Sequence, residues 1–245
     1  MFLIITITMN NLAGLARTID SVEKQDICRK RYRLIVIDGC STDGTKEYLR
    51  YKKQQDSIDE YVSEKDTGVY NAMNKGIALS KPADEYVLFL NAGDSFCNSS
   101  VLSETERFIS SDNKKSLVYY GDKLDSGGNI NKAYYPSSLT LGIINACHQS
   151  YFYKLLNIYY DENYRLFSDY DFTCKYYKVM PFTYLGFPVS IYEDFGLSSH
   201  HSWKTKKEIY IINLKHFGLI NFCKFIFVKV LSALGISHKH FMKKH

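Results

Sequence analysis

Three short polar clusters in the first hundred residues have side chains that can bind a charged ligand. Each follows an apolar run, and the clusters occupy residues 6–11, 38–44 and 91–94. Their carboxylates and amides accept hydrogen bonds and suit hard divalent cations. Asn, Asp and Gly are also ordinary turn residues, so one cluster alone would indicate only a turn. Three clusters in corresponding positions favour a binding site.

Strands and helices alternate around these clusters and must position them. Residues 2–8, 34–37 and 86–90 are short apolar runs, typical of strands buried on both faces of a parallel sheet. The first connection has helical spacing of apolar residues, as at Leu15 and Ile19. This order predicts the α/β class, with a central, mostly parallel sheet flanked by helices. Such sheets bind ligands at the carboxyl ends of the strands, where the three clusters lie.

Residues 38–45 read DGCSTDGT, which resembles the D-G-x-S-x-D-G-T signature of the family 2 glycosyltransferases. Residues 63–76 (SEKDTGVYNAMNKG) resemble the family's segment that ends in A-x-N-x-G, and residues 89–96 (FLNAGDSF) lie where its metal-binding acidic motif belongs. The resemblance is closest to enzymes that build bacterial surface polysaccharides, of the colanic acid and O-antigen type. It implies the GT-A fold and a nucleotide-sugar donor.

The resemblance implies a donor site in the N-terminal half of the chain. In the family the first motif aspartate accepts the N3–H of a uracil base, and Asp38 has that position here. Thr6 and Asn10, at the end of the first strand, are expected to line the same nucleotide pocket. Lys75 would screen the donor phosphates, unless it is an ordinary solvated charge on a helix. The other residues expected to approach the donor are Asp66 and Asn74.

The acidic motif differs from the family pattern. The family commonly has D-x-D-D, whereas residues 91–94 read Asn-Ala-Gly-Asp. A diphosphate leaving group needs charge neutralisation, for which Mg²⁺ or Mn²⁺ bound by oxygen ligands is expected. Asp94 is the expected metal ligand, and Asn91 offers a neutral carbonyl or a sugar contact. His200 or His201 is a further metal candidate because some family members use a late histidine, although a single histidine is more often structural.

Two segments of the second half resemble the family's acceptor-side region. His148 and Gln149 are expected to contact the acceptor. Residues 164–172 (YRLFSDYDF) resemble an E-D-x-D-like element in which Asp169 has the position of the catalytic base. A base is needed because a sugar hydroxyl is a poor nucleophile until its proton is removed. The alternative interpretation of Asp169 is a helix N-terminal acid, which the helix dipole favours.

The C-terminal segment differs in charge from the rest of the chain. Residues 201–245 contain nine Lys and one Glu, a formal charge of +8, which leaves −3 for residues 1–200 of the net +5. Residues 218–236 are apolar but interrupted by lysines, which suits a helix lying in an anionic membrane interface better than a membrane span. A helix packed on the domain is the alternative. The lysines lack interleaved arginines, so nucleic-acid binding is not expected.

The resemblance implies a GT-A domain over residues 1–200, with a donor half (1–100) and an acceptor half (101–200). A basic, amphipathic, membrane-associating tail follows over residues 201–245. The six cysteines are scattered and the start has no secretory pattern. We therefore expect reduced thiols in a cytoplasmic protein, peripheral on the inner face of the cell membrane.

The expected activity is inverting transfer of a hexose or N-acetylhexosamine from a UDP-sugar to an oligosaccharide on polyprenyl diphosphate. A non-catalytic nucleotide-sugar-binding protein is an alternative because the acidic motif is depleted. A sugar nucleotidyltransferase would begin with a Gly-rich loop containing Arg and Lys, which residues 6–14 do not supply. A nicotinamide-dependent oxidoreductase would need G-x-G-x-x-G after the first strand.

Overall fold

The computed structural model describes residues 1–179, 181–192 and 203–233. Within them a nine-stranded sheet is flanked by helices, which confirms the predicted α/β class. The strands are β1 (Phe2–Thr8), β2 (Tyr32–Asp38), β3 (Glu60–Ser63), β4 (Tyr86–Phe89), β5 (Ser95–Phe96), β6 (Val118–Leu124), β7 (Ile130–Asn131), β8 (Tyr151–Lys154) and β9 (Phe182–Ile191). The helices are α1 (Leu12–Glu23), α2 (Thr45–Gln54), α3 (Val69–Ala78), α4 (Val101–Ser111), α5 (Ser168–Tyr177) and α6 (Trp203–Ala233).

The N-terminal half of the sheet is parallel, in the order β3-β2-β1-β4. β1 lies between β2 and β4, and Thr8 at its end pairs with Asp38 at the end of β2. Both strands are buried along nearly their whole length. The polar residues that follow β1, β2 and β4 therefore meet at one edge of the sheet, as the sequence predicts.

Helices cover both faces of this parallel half. Ile4 on one face of β1 belongs to a buried cluster with Leu15 and Ile19 of α1. Ile5 on the other face belongs to a cluster with Met73 of α3. The approach of α3 is close because Gly76 faces Ile5: a Cβ atom on Gly76 would lie 2.5 Å from Ile5 Cγ2. The glycine of the A-x-N-x-G segment is thus needed for packing.

The C-terminal half of the sheet has mixed strand directions. β8 runs antiparallel to β4 and to β6, whereas β9 runs parallel to β6. The short strands β5 and β7 pair antiparallel with β9 and β6. The turn between β6 and β7 lies at residues 125–129, which read Asp-Ser-Gly-Gly-Asn. The parallel part of the sheet is therefore concentrated in the N-terminal half.

α6 is a long apolar helix that packs on the domain along one side. Ile212, Asn213 and Phe225 are fully buried, and Phe225 lies against Gly142. The stretch Lys207–Leu231 is long and apolar enough to cross a membrane by length and composition alone, as are the core helices of many soluble proteins. The backbone is not helical at Gly218 (φ 72°, ψ 178°), which divides α6 into two shorter helical segments.

Candidate active site

A cavity of about 920 Å³ opens at the carboxyl ends of β1 and β4. It is lined from the donor half by residues 7–9 and 91–94, and from the acceptor half by residues 146–149 and 165–167 together with Asp169. The two halves of the chain therefore share one cavity. The predicted site residues that line it are Asp66, Asn91, Asp94, His148, Gln149 and Asp169. The predicted donor residues that do not line it are Thr6, Asn10, Asp38, Asn74 and Lys75.

Asp38, the last residue of β2, is fully buried beside this cavity. Its carboxylate accepts hydrogen bonds from the backbone N–H and the hydroxyl of Ser41, and from the Ser63 hydroxyl at 2.6 Å. Asp38 pairs with Thr8, which does line the cavity, so Asp38 lies on the strand next to the cavity wall. Because Asp38 is fully buried, the surrounding groups would have to move before a uracil base could reach it, and its nucleotide role stays a prediction.

Thr6 and Asn10 are placed differently from the expectation that they line the nucleotide pocket. Thr6 is fully buried in β1, so its side chain does not reach the cavity. Asn10 is exposed and holds the signature loop instead. Its backbone N–H donates to the Ser41 hydroxyl at 2.7 Å, and its Oδ1 accepts from the Thr42 N–H at 2.8 Å. Asn10 therefore connects the loop after β1 to the loop after β2.

Lys75 and Asn74 are also occupied by protein partners rather than facing the cavity. Lys75 Nζ pairs with Asp66 at 2.7 Å and Glu64 at 2.8 Å. Burial alone would lower the pKa of Lys75, but these two carboxylates raise it above its ordinary value. The Asn74 amide donates to the Tyr160 carbonyl and accepts from the Tyr160 N–H, at 3.0 and 2.9 Å. Asn74 thus attaches α3 to the acceptor half.

Asp94 is the buried carboxylate at the centre of the candidate metal site. It accepts a hydrogen bond from Gln149 Nε2 at 2.8 Å, and the Cys147 thiol donates to the side-chain Oε1 of Gln149 at 2.9 Å. Asn91 Oδ1 is buried without a hydrogen-bond partner, which leaves a neutral oxygen in need of one. The sequence predicts that Gln149 contacts the acceptor, whereas in the structure Gln149 is hydrogen-bonded to Asp94, the candidate metal ligand.

The described residues contain no group of three His, Cys, Asp or Glu side chains arranged to hold a metal. Asp94 and Asn91 instead offer a carboxylate and an amide oxygen within one cavity. This pair fits Mg²⁺ or Mn²⁺ where a diphosphate and water supply the remaining oxygen ligands. His200 and His201 lie outside the described residues.

His148 lies in an aromatic environment on the acceptor side of the cavity. Its ring stacks on Phe89 with centroids 5.3 Å apart, and its Nε2 lies 2.7 Å from the Tyr160 hydroxyl. Burial lowers the pKa of His148 to about 4, so the ring is neutral at pH 7. A neutral ring bonded to Tyr160 can contact a sugar but does not contribute a positive charge.

Asp169 is at the N-terminus of α5 and is half-buried at the cavity wall. Burial raises the pKa of its carboxyl to about 6, and the N–H of Tyr170, which donates to Asp169 Oδ1 at 2.8 Å, lowers it only in part. A carboxylate with this pKa is largely ionised at pH 7 and still basic enough to accept a proton. The helix position and a role as base are therefore compatible.

Thr18 and Tyr70, which the sequence does not indicate as site residues, hold parts of the cavity wall in place. Thr18 of α1 donates to the Asp94 carbonyl at 2.7 Å and accepts from the Gly93 N–H at 3.0 Å, which orients the turn before Asp94. Tyr70 of α3 lines the cavity and donates to the Leu166 carbonyl at 2.7 Å. Thr18 belongs to no recognised motif and its partners are more than seventy residues away, so spacing gives no signal for it.

The match to known families agrees with this geometry. Residues 3–185 match the family described as glycosyl transferase family 2. Over 205 residues, 80% of this chain and 78% of the relative, the chain is 31% identical to the PGL/p-HBAD biosynthesis glycosyltransferase of Mycobacterium bovis strain BCG. The match extends through both the donor half and the acceptor-side residues.

Solved structures share the fold at lower identity. Staphylococcus aureus TarS 1–349 in complex with UDP-GlcNAc has a TM-score of 0.72 at 17% identity, over 92% of this chain and 71% of that chain. The mannosyltransferase PcManGT from Pyrobaculum calidifontis, in complex with GDP-Man and Mn²⁺, has a TM-score of 0.61 at 15% identity, over 88% and 61%. These likenesses confirm the GT-A fold. The chain therefore belongs to glycosyl transferase family 2 and is a glycosyltransferase.

Proposed function

We propose that this glycosyltransferase moves a hexose or N-acetylhexosamine from a UDP-sugar to a lipid-linked oligosaccharide, with inversion at the anomeric carbon. The observation that supports it most is that Asp94, on the donor side, and Asp169, on the acceptor side, line one cavity. A sugar transfer needs both a site for the diphosphate and a base for the acceptor. Relatives agree with a nucleotide-sugar donor, since TarS 1–349 was solved with UDP-GlcNAc.

On the donor side, Asp94 and Asn91 would hold Mg²⁺ or Mn²⁺ together with oxygens of the diphosphate. The metal would neutralise the charge that develops on the leaving nucleotide. Gln149 orients Asp94 through its hydrogen bond. Asp38 would recognise the uracil N3–H after the groups that bury it move apart.

On the acceptor side, Asp169 would accept the proton of the attacking hydroxyl. The hydroxyl oxygen forms a bond to the anomeric carbon while the bond from that carbon to the diphosphate oxygen breaks on the opposite face. UDP leaves with the bonding electron pair, and the proton stays on Asp169 until water removes it. His148, neutral and bonded to Tyr160, would contact the acceptor sugar.

The acceptor we propose is a growing glycan on polyprenyl diphosphate at the cytoplasmic face of the membrane, as in bacterial surface-polysaccharide synthesis. The outer side of α6 supports this because Leu219, Ile220 and Phe227 are exposed by 57–75%. Lys224 on the same helix is exposed as well. Exposed apolar and basic side chains on one helix suit the interface of an anionic bilayer. Residues 201–245 would thus form the membrane-associating part of the chain.

Turnover tests the proposal directly. The full chain is incubated with UDP-sugars, Mn²⁺ and a polyprenyl-diphosphate-linked acceptor, and UDP release is followed. Asp169→Asn should lower kcat by about 10²- to 10⁴-fold, the usual contribution of a general base, while UDP affinity by calorimetry stays unchanged. Full activity of that variant would refute the base assignment. Absence of turnover with every UDP-sugar would refute the proposed donor class.

A second candidate function is nucleotide-sugar binding without catalysis. The observation that favours it is that Asp94 is the sole carboxylate in residues 91–94. Calorimetry alone does not separate the two candidates, because both predict UDP binding. Tight UDP binding together with no turnover on any acceptor would favour the binding protein.

A further inference from the structure

The segment before the candidate base is bound by a single carboxylate from α6. Glu208 accepts the backbone N–H groups of Arg165, Leu166 and Phe167 at 2.9, 3.0 and 3.1 Å. Three charge-assisted hydrogen bonds to consecutive N–H groups fix the backbone more tightly than neutral ones would. All three residues line the cavity. Glu208 therefore determines the position of one wall of the candidate active site.

Residues 165–167 are also bound by a side chain from α3. Tyr70 of α3 donates to the Leu166 carbonyl at 2.7 Å. The segment is thus fixed by α6 through its N–H groups and by α3 through a carbonyl. Asp169 follows two residues after Phe167, so fixing the backbone of residues 165–167 also restricts the position of Asp169.

α6 makes a second contact with the start of α5. Asp171, fully buried, accepts from His216 Nε2 at 2.8 Å and pairs with Lys215 at 3.1 Å, and Lys175 of α5 lies 2.9 Å from its other oxygen. Burial would raise the pKa of Asp171, but these partners hold it well below its ordinary value. A carboxylate that stays ionised keeps α5 attached to α6. Asp169 lies between this contact and the Glu208 contact.

We propose that Glu208 is a positioning residue for transfer, and that α6 is a structural part of the active site through it. Glu208 does not line the cavity. It holds residues 165–167, and with them Asp169, in the geometry that accepts the hydroxyl proton. The kinetic part of this proposal rests on the proposed function, whereas its structural part does not.

The negative charge of Glu208 should also affect the pKa of Asp169, an effect that a side chain holding the backbone without a charge would not have. Burial is the main cause of the raised pKa of Asp169, and the negative charge of Glu208 raises that pKa further. Other titratable groups also face Asp169, and burial raises the pKa of each, so that they are uncharged near pH 7. These groups are Tyr70, Cys147, Tyr151, Tyr153, Tyr160 and Cys174.

The experiment uses the full chain with Glu208→Gln, Glu208→Ala and the control Glu106→Gln on α4, which alters an ion pair between Glu106 and Arg31. Hydrogen exchange is measured for the amides of residues 165–167. The Asp169 carboxyl is titrated by carbon NMR, with its signal assigned through Asp169→Asn. Neither measurement needs turnover, and Glu208→Gln keeps the side-chain shape in case Glu208→Ala does not fold.

In Glu208→Gln we expect exchange at residues 165–167 to accelerate by about tenfold, because an amide has one acceptor oxygen instead of two. The Asp169 titration midpoint should fall by roughly half a pH unit as the negative charge is removed. With an active donor and acceptor, kcat should fall by about three- to tenfold while the donor KM stays unchanged. Glu106→Gln should change none of these quantities.

Unchanged exchange and an unchanged Asp169 midpoint in Glu208→Gln would overturn the proposal. Faster exchange with full kcat would also overturn it, because the segment would then be held without effect on the chemistry. If the wild-type chain shows no turnover on any substrate, the proposed function fails, while the exchange and titration results still decide whether Glu208 positions Asp169.

Discussion

The donor half and the acceptor half of this glycosyltransferase are built in different ways. In the donor half, the contacts of the signature loop stay within the first hundred residues: Asp38 is bonded to Ser41 and Ser63, and Ser41 is also bonded to Asn10. In the acceptor half, the segment before Asp169 depends on partners from distant elements. Tyr70 lies 96 residues before its partner Leu166, and Glu208 lies 41 residues after Phe167.

This difference predicts that the two halves respond differently to substitution. The signature loop keeps its shape as long as its partners in the neighbouring donor-half segments, Asn10 and Ser63, are kept. A segment held by α3 and α6 keeps its shape only if both helices stay in place. We therefore expect donor binding to respond to substitutions in the motifs, and catalysis to respond also to substitutions outside them.

The largest effect is expected at the donor side of the cavity. Asp94→Ala should lower turnover by about 10²- to 10³-fold, because it removes the carboxylate expected to hold the metal at the diphosphate. UDP binding in Mn²⁺, measured by calorimetry, should weaken in parallel. The control is Asp26→Ala, an exposed aspartate away from the cavity lining. Full activity with unchanged Mn²⁺ dependence would show that the donor site does not use Asp94.

The packing of α3 on β1 gives the next effect, one of stability. Gly76→Ala should lower the free energy of unfolding by about 1–3 kcal/mol, because its Cβ would overlap Ile5. Gly127→Ala is the matched control: its Cβ would meet only the ends of the Asn129 and Asp125 side chains in a surface turn, at 3.3 Å, so a change within about 0.5 kcal/mol is expected. Denaturant unfolding measures both. Equal stability of the two variants would mean that β1 moves to accommodate the methyl group.

The sequence predicts the donor half better than the acceptor half. The physical reason is the distance along the chain between the residues that contact each other. Apolar runs predict β1, β2 and β4, because a strand buried on both faces leaves a local pattern. Spacing does not tell which way a side chain points. Asn74, expected at the donor, is bonded to the backbone of Tyr160, which is 86 residues away.

The acceptor-side contacts are also invisible to local sequence patterns. The hydrogen bonds of Glu208 require α6 to pack on the domain, and no local sequence pattern indicates where α6 packs. The basic charge of the tail is visible in the sequence, but its single glutamate does not stand out until its three partners are known.

The pH dependence tests the acceptor half. Asp169 must be ionised to accept a proton, and its pKa is raised to about 6. Activity is therefore present above this value, and kcat/KM should fall about tenfold per pH unit below it. Protonation of His148, whose pKa is lowered to about 4, would instead give a limb near pH 4. A profile that stays flat through pH 6 would contradict Asp169 as the base.

The smallest effect is expected at the outer side of α6, far from the chemistry. Ile220→Ser removes an apolar side chain that is 75% exposed, and should weaken co-sedimentation with anionic vesicles by about threefold to tenfold. Tyr51→Ser, at a residue of α2 that is 56% exposed, should have no effect. Turnover on a water-soluble acceptor should be unchanged in both variants, since Ile220 does not line the cavity. A loss of that turnover in Ile220→Ser alone would mean that the outer side of α6 also supports the acceptor half, and the separation between membrane contact and catalysis would fail.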